Sequence, residues 1–182
     1  MPHLPETVYQ SGPVNVMRRV LAPILALGLA LGCRDATSPA VLAFGPRTSV
    51  WLPDPSGLIL HGYYSGLVNA ADLVIADSQS WATAWTQLTR GVGPPPALPA
   101  VDFRTEQVVL VALGQRRTGG YDIRIDSVVQ FQRASVAYVT ATAPGQNCVT
   151  TSALSQPVDL IRLSPKVEPI VFQQRLVVQD CS

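Results

Sequence analysis

The sequence predicts a mainly β domain, a β-sandwich or a curled antiparallel sheet, with one short amphipathic helix near residues 78–90. Short apolar or alternating segments recur at hairpin-like spacing. Sixteen prolines and thirteen glycines supply turns between them. One window alone has helical periodicity. We therefore expect one helix packed against six or seven strands.

The predicted strands are of two kinds. Residues 107–113 form the apolar run that is typical of a strand buried on both faces. Residues 121–129 and 135–142 alternate between apolar and polar side chains, as in a strand with one solvated face. The predicted strands are 58–65, 73–76, 107–113, 121–129, 135–142, 158–163 and 171–178.

The predicted helix follows from Trp81, Trp85 and Leu88, which are spaced i, i+4 and i+7 and form one apolar stripe. Asp77 and the serines after it offer an N-cap. Two glycines and the prolines of residues 94–96 end the helix. The tryptophans could instead stack on a ligand, but their spacing favours packing against a sheet.

The segment Gly114–Gly120 joins two predicted strands and ends in two glycines, which predicts a hairpin with a specialised tip. The glycines supply positive φ at no steric cost. One interpretation is that they only shape a difficult turn. The other is that the tip binds a partner. The candidate partner-binding residues are Arg116, Arg117, Thr118, Gly119, Gly120 and Tyr121.

The N-terminal residues predict a targeting signal. Residues 17–19 carry two arginines, and residues 20–31 are an apolar stretch too short to span a bilayer comfortably. We predict a signal peptide over residues 1–32. Residues 1–16 place an acidic residue and three prolines ahead of it, so we expect translation to start at Met17.

The signal ends in Leu29-Ala30-Leu31-Gly32-Cys33, which resembles the lipobox of bacterial lipoproteins. The resemblance implies covalent diacylglycerol on Cys33; the alternative is an ordinary signal peptide with an incidental cysteine. Arg34 replaces the aspartate that retains lipoproteins at the inner membrane, which implies the outer membrane in a diderm cell. We expect a flexible tether over residues 33–55 and a single domain over residues 56–182.

Cys148 and Cys181 remain as a pair in an oxidising compartment. A disulfide between them would pin the last strand to an earlier loop and contribute roughly 4 kcal/mol on the chain-entropy model. The alternative is two unrelated thiols. A zinc site is not expected, because there is no CxxC and only one histidine, His61, follows the signal.

Little in the sequence indicates catalysis or nucleic-acid binding. Thirteen basic residues against twelve acidic ones leave no basic patch. Residues 62–66 have two residues between glycine and serine where a nucleophile elbow has one. His61 is interpreted as a surface or packed residue, and Asp122 and Asp126 as solvated. We expect no enzyme activity, no cofactor and no metal.

Several motifs occur together in the order of a known family. They are Trp81-x-x-x-Trp85-x-x-Leu88, Val101-Asp102-Phe103, Gly114-x-x-x-Thr118-Gly119-Gly120-Tyr121 and Pro144-Gly145-x-x-Cys148-x-x-x-x-Ala153-Leu154-Ser155-x-Pro157. The chain resembles the PrcB C-terminal domain family over residues 73–164. That family is named after a lipoprotein subunit of a surface protease complex. Arg117 stands where the family often has proline.

The resemblance implies a non-catalytic envelope domain that binds a secreted protein and assembles or stabilises a protease complex. A second hypothesis is a protease inhibitor that inserts the TGGY loop, since this loop has a faint likeness to that of chagasin-type inhibitors. A third is a structural lipoprotein without a dedicated partner.

Overall fold

The computed structural model of the protein describes residues 44–52, 57–91 and 93–181. The predicted signal peptide, Cys33 and most of the predicted tether lie outside these residues. The elements are β1 (Arg47–Trp51), β2 (Leu58–Gly62), β3 (Ala71–Ile75), α1 (Ser78–Leu88), β4 (Gln107–Ala112), β5 (Asp122–Phe131), β6 (Ser135–Pro144), β7 (Val158–Leu163) and β8 (Ile170–Gln179).

The strands form two four-stranded sheets, which confirms the predicted fold class. Sheet 1 has the order β1-β5-β6-β8 and sheet 2 the order β2-β7-β4-β3. All pairs are antiparallel except β6 and β8, which are parallel. That exception arises because β7, which lies between β6 and β8 in the chain, pairs in the other sheet. The two sheets pack face to face as a sandwich.

Strand β4 lies at the centre of the layers, and all six of its side chains are buried. Val109 and Val111 face sheet 1 and belong to the core between the sheets. Val108 and Leu110 face the opposite side and contact the helix. This arrangement explains the unbroken apolar run, since an alternating strand would leave one face polar.

Helix α1 begins after Asp77, whose carboxylate accepts a hydrogen bond from Ser80 N at 2.8 Å. The predicted stripe of Trp81, Trp85 and Leu88 is buried against sheet 2. Both indole N–H groups donate to carbonyls of the proline-rich loop, Trp81 to Pro99 at 2.9 Å and Trp85 to Pro96 at 3.0 Å. The loop thus satisfies the polar atom of each buried indole.

The predicted hairpin between β4 and β5 is wrong. Strand β4 pairs with β3 and β7 in sheet 2, whereas β5 pairs with β1 and β6 in sheet 1. Because both edges of β4 are occupied, β5 has no place beside it. Residues 113–121 are therefore a crossover loop that carries the chain from one sheet to the other.

Strand β1 lies within the segment predicted as a tether and pairs with residues 128–131 of β5. The folded part therefore starts earlier than residue 56. At the other end, Cys148 and Cys181 form the expected disulfide, with their Cα atoms 4.9 Å apart. It joins the loop after β6 to the residue two positions beyond β8. Among the described residues, no helix is long and apolar enough to cross a membrane.

The position of Gly114 gives a test of the crossover. Its φ is +72°, and a Cβ there would lie 2.6 Å from Ala70 N and 2.8 Å from Val68 O. We expect Gly114→Ala to lower the free energy of unfolding by about 3 kcal/mol or more, through backbone strain and overlap together.

The control is Gly91→Ala, because Gly91 has φ +84° but open space around its Cβ direction. Positive φ alone costs about 1–2 kcal/mol. Urea unfolding measures both variants. Equal losses would show that the close approach to residues 68–70 contributes nothing.

Candidate functional site

The crossover loop lines an open cleft of about 390 Å³ at one end of the sandwich. The lining combines three tyrosines, the paired glycines of the loop and several hydroxyl or amide side chains. The residues are Tyr63, Tyr64, Gly119, Gly120, Tyr121, Asp122, Thr142, Thr151, Ser155 and Gln179. Aromatic rings beside exposed polar groups are common in protein-binding surfaces.

The crossover loop is held against the loop of residues 151–156 rather than protruding as a tip. Arg116 and Ser155 exchange backbone hydrogen bonds of 2.7 and 3.0 Å. Ser155 Oγ donates to Thr118 O at 2.8 Å, and Gly119 N donates to Thr151 O at 3.1 Å. These bonds fix the backbone from Arg116 to Gly119.

The two glycines are needed for different reasons. Gly120 has φ +87°, which a residue with a side chain rarely adopts. Gly119 does not have positive φ, so the prediction that both glycines supply it is wrong for this one. A Cβ on Gly119 would instead lie 2.5 Å from Thr151 Oγ1. A larger residue at position 119 would therefore require the exposed Thr151 side chain to turn away.

The candidate partner-binding residues divide into three groups. Gly119, Gly120 and Tyr121 line the cleft. Arg117 is exposed beside them. Arg116 is committed internally, because its Nη2 donates to Leu113 O at 2.9 Å and its guanidinium lies 5.6 Å from the centroid of the Tyr121 ring.

Thr118 is half-buried, and its carbonyl is taken by Ser155. Arg116 and Thr118 therefore shape the loop, and the groups of this segment that line the cleft or are exposed beside it are Arg117, the glycines and Tyr121.

Sequence reasoning missed Tyr63 and Tyr64, which form the opposite wall of the cleft. They directly follow β2, and 46% and 68% of their surfaces are exposed. Gln156 N donates to Tyr63 O at 2.7 Å, so this wall is tied to the same loop as the crossover. The adjacent tyrosines were visible in the sequence, but nothing local indicated that they face the TGGY segment.

A polar cluster lies beside the cleft and joins the two sheets. His61 Nδ1 is 3.3 Å from Asp159 Oδ1, and His61 Nε2 is 3.2 Å from Asp122 Oδ1. Arg124 Nε donates to Asp122 Oδ2 at 3.1 Å, and its Nη2 lies 3.2 Å from His61 Nε2. His61 and Asp159 belong to sheet 2, whereas Asp122 and Arg124 belong to sheet 1.

Asp159 is the buried member of this cluster, with 4% of its surface exposed. Its Oδ2 accepts the backbone N–H of Ile125 at 2.8 Å, so a carboxylate of sheet 2 satisfies a backbone donor of sheet 1. Burial raises the pKa of Asp159, and the Ile125 N–H, His61 and Arg124 oppose that shift. The carboxyl group keeps the bond to Ile125 in either protonation state.

The protonation of His61 decides how well the cluster is satisfied. Asp122 Oδ1 is buried and has no other hydrogen-bond partner among the described residues. If Nε2 carries a proton, it donates to this oxygen. If Nε2 is unprotonated, it accepts from Arg124 and Asp122 Oδ1 faces a lone pair. The doubly protonated imidazolium is therefore the form that donates to both carboxylates.

The geometry of the cluster is unlike that of a hydrolase triad. A catalytic histidine directs Nε2 at a nucleophile, whereas His61 Nε2 is occupied by Asp122 and Arg124. Ser65 Oγ instead donates to Gln156 O at 3.0 Å. In the described part of the chain, no three His, Cys, Asp or Glu residues are placed to hold a metal ion.

Asp122 and Asp126 of β5 were both predicted to be solvated, but their surroundings differ. Asp122 is partly buried in the cluster. Asp126 accepts a hydrogen bond from Thr140 and lies 3.7 Å from Arg175 on the outer part of sheet 1.

A second depression of about 300 Å³ adjoins the cleft and shares Gly120, Thr151 and Gln179 with it. The disulfide of Cys148 and Cys181 lines this depression. The bond therefore holds the rim of the candidate site as well as the end of β8.

Comparison with known families confirms the predicted resemblance. Residues 107–164 match the family model described as PrcB C-terminal. The matched segment contains β4 to β7 and the crossover loop, and hence the glycine wall of the cleft. Tyr63, Tyr64 and Gln179 lie outside it. No curated protein and no solved structure was found to match the chain.

The buried carboxylate predicts a pH dependence of stability. Because folding raises the pKa of Asp159 above 3.8, the protonated form favours the folded state. This contribution is complete below pH 3.8 and is lost as the pH rises through the pKa of the folded state. The stability of Asp159→Asn relative to the original chain should therefore increase from acidic to neutral pH, as measured by urea unfolding.

Asp159→Ala is the matched variant, since it also removes the acceptor of the Ile125 N–H. It should be about 1–3 kcal/mol less stable than Asp159→Asn at every pH, with the same pH dependence relative to the original chain, because neither variant has a carboxyl group at this position. If the relative stability of Asp159→Asn instead falls with rising pH, attraction between Asp159 and His61 outweighs the cost of burial.

Proposed function

We propose that this protein is a non-catalytic, lipid-anchored component of the cell envelope that binds a secreted protein through the cleft beside the TGGY crossover. The observation that carries the proposal is the cleft itself, a concave surface with tyrosines on one wall and close-packed glycine backbone on the other. The partner class that the family resemblance suggests is a secreted protease, which the domain assembles or stabilises.

The chemistry of the cleft suits a polypeptide ligand. Tyrosine offers a large apolar ring with few rotatable bonds and a hydroxyl at its rim, so it binds at low entropic cost. Because the glycines have no side chains, the backbone of a bound polypeptide can approach the backbone of this wall closely. The hydrogen bonds from Ser155 and to Thr151 hold the loop before a ligand arrives, which reduces the cost of ordering on binding.

The membrane setting rests on residues 17–33 and not on the fold. A short basic region, an apolar stretch and Cys33 after Leu31-Gly32 support lipidation. Arg34 favours the outer membrane in a cell that has one. The anchor would hold the sandwich at the membrane surface and thereby concentrate it near envelope partners.

Two features support a link to a protease complex. Residues 107–164 match the PrcB C-terminal family, and those residues build most of the glycine wall.

The inhibitor alternative, which inserts the TGGY loop into a protease cleft, has less support. Four hydrogen bonds tie residues 116–119 to residues 151–155, so the loop presents a concave wall.

The cleft predicts which substitutions weaken binding. Affinity capture of the full chain from envelope extract, read by mass spectrometry, should recover a defined partner. Tyr64→Ala should then raise the dissociation constant about 10-fold or more, because an exposed tyrosine in a cleft is a frequent binding hot spot. Arg117→Ala should weaken binding less, and Arg116→Ala should chiefly lower thermal stability.

Leu98→Ala is the control, since Leu98 is exposed at 47% and does not line the cleft. If Tyr64→Ala leaves the dissociation constant unchanged, the cleft is not the interface. If the captured partner is a protease, its activity with and without the chain separates support from inhibition.

Lipidation gives an independent prediction. Cys33→Ser should move the protein from the membrane pellet to the soluble fraction and abolish labelling by a fatty-acid analogue. Cys148→Ser, which removes a disulfide partner only, should stay lipidated. Unchanged membrane association of Cys33→Ser would rule out the anchor.

A further inference from the structure

Strand β8 is the end strand of sheet 1, and among the residues that the structure describes it pairs with β6 alone. It has ten residues and no register shift. The other end strands, β1, β2 and β3, have five residues each, and the pairings of β1 and β2 are interrupted by register shifts. A long, regular free edge presents a row of unpaired backbone groups that can template another strand.

The side chains of β8 do not protect this edge. Proteins usually guard an exposed edge with proline, lysine or a bulge. Strand β8 has no proline, and Arg175 is its only charged residue. Three apolar side chains near its end are well exposed, Leu176 at 69%, Val178 at 59% and Val177 at 39%.

The sequence of β8 is self-complementary about Gln174. On each side of Gln174 the strand has one polar residue, Gln173 or Arg175, followed by three apolar residues. A strand and its own antiparallel copy, related by a twofold axis at Gln174, therefore match along nine residues. The opposed residues are Ile170 with Val178, Val171 with Val177, Phe172 with Leu176, Gln173 with Arg175, and Gln174 with itself.

We propose that β8 pairs antiparallel with β8 of a second copy of this chain, because its unprotected edge is palindromic in polarity about Gln174. The pairing joins two copies of sheet 1 into one eight-stranded sheet. It creates an isologous interface, in which the same surface is used by both copies.

Burial supports the same register. Ile170 and Phe172 pack against the core between the sheets, and alternation places Leu176 and Val178 on the same face, where they are exposed. In the proposed register, Phe172 and Ile170 of one copy lie opposite Leu176 and Val178 of the other. The half-buried end of each strand thus covers the exposed end of its partner.

Neighbouring twofold registers are worse. An axis at Arg175 sets the two arginines directly opposite each other, which is unfavourable for like charges. An axis at Gln173 sets Val171 opposite Arg175 and Phe172 opposite Gln174. Only the axis at Gln174 pairs apolar residues with apolar residues throughout and gives Arg175 a glutamine as its neighbour.

The register is tested by cross-linking in the full chain. Directly opposed residues in an antiparallel pair have Cα atoms about 4.5–5.5 Å apart, within disulfide range. Gln174→Cys should therefore form a reducible dimer under oxidising conditions. Leu176→Cys is the matched control, because the two copies of Leu176 are about 13 Å apart along the strand.

Mixing Phe172→Cys with Leu176→Cys chains should restore the cross-link, since these residues are opposed. The unsubstituted chain sets the background of cross-linking by its own cysteines. A cross-link equal for Gln174→Cys and Leu176→Cys, or absent from Gln174→Cys, would overturn the proposed register.

A charge exchange tests the interface without cysteines. Gln173→Lys should raise the dimer dissociation constant about 5-fold or more, because twofold symmetry opposes the new charge to Arg175 twice. Gln173→Glu should lower it by a similar factor. Sedimentation velocity of the detergent-purified full chain measures both, and circular dichroism checks that each variant is folded.

Gln87→Lys and Gln87→Glu are the controls, because Gln87 is exposed on α1, which packs against sheet 2, and lies outside β8 and the cleft. If these controls shift the constant as much as the variants at residue 173, the effect is general charge and the proposal fails. A chain that is monomeric at all concentrations also rejects the proposal. The edge of β8 would then be available only to a strand of a different protein.

Discussion

The burial of β4 on both faces is the constraint from which the rest of the architecture follows. Its six side chains require a layer above and a layer below, which α1 and sheet 1 supply. Its edges are filled by β3 and β7, so the chain has to leave sheet 2 when β4 ends. The resulting crossover, residues 113–121, forms one wall of the cleft. A core requirement thus places the candidate site.

The local sequence pattern predicted the helix and the strands well, because the formation of each depends mainly on the residues within it. The spacing of Trp81, Trp85 and Leu88 sufficed for α1, and the apolar run sufficed for β4. The pattern failed where the partner of a strand mattered. A glycine-rich turn between two strands looks the same whether the second strand lies beside the first or in another sheet, so the hairpin prediction had no local check.

Only one wall of the candidate site could be predicted from the sequence, for the same reason. The TGGY segment stands out because glycine pairs are rare outside special backbone conformations. Tyr63 and Tyr64 join it only through long-range pairing of β2 with β7. His61, Asp122 and Asp159 lie far apart in sequence, and their meeting depends on the approach of the two sheets at Ile125. Sequence reasoning considered His61 and Asp122 separately, as a surface or packed residue and a solvated one, and it did not single out Asp159.

The parallel pairing of β6 with β8 also bears on how the protein is made. Between these strands the chain enters sheet 2 as β7, so the edge of β6 that β8 covers has no neighbour until residues 170–179 are present. Sheet 1 therefore stays incomplete until the chain has passed through sheet 2 and returned as β8. Non-local strand pairing of this kind is slow to form. Once β8 is in place, the Cys148–Cys181 bond ties the residue two positions beyond its end to the loop after β6, so that the last strand is held to sheet 1 covalently as well as by its pairing with β6.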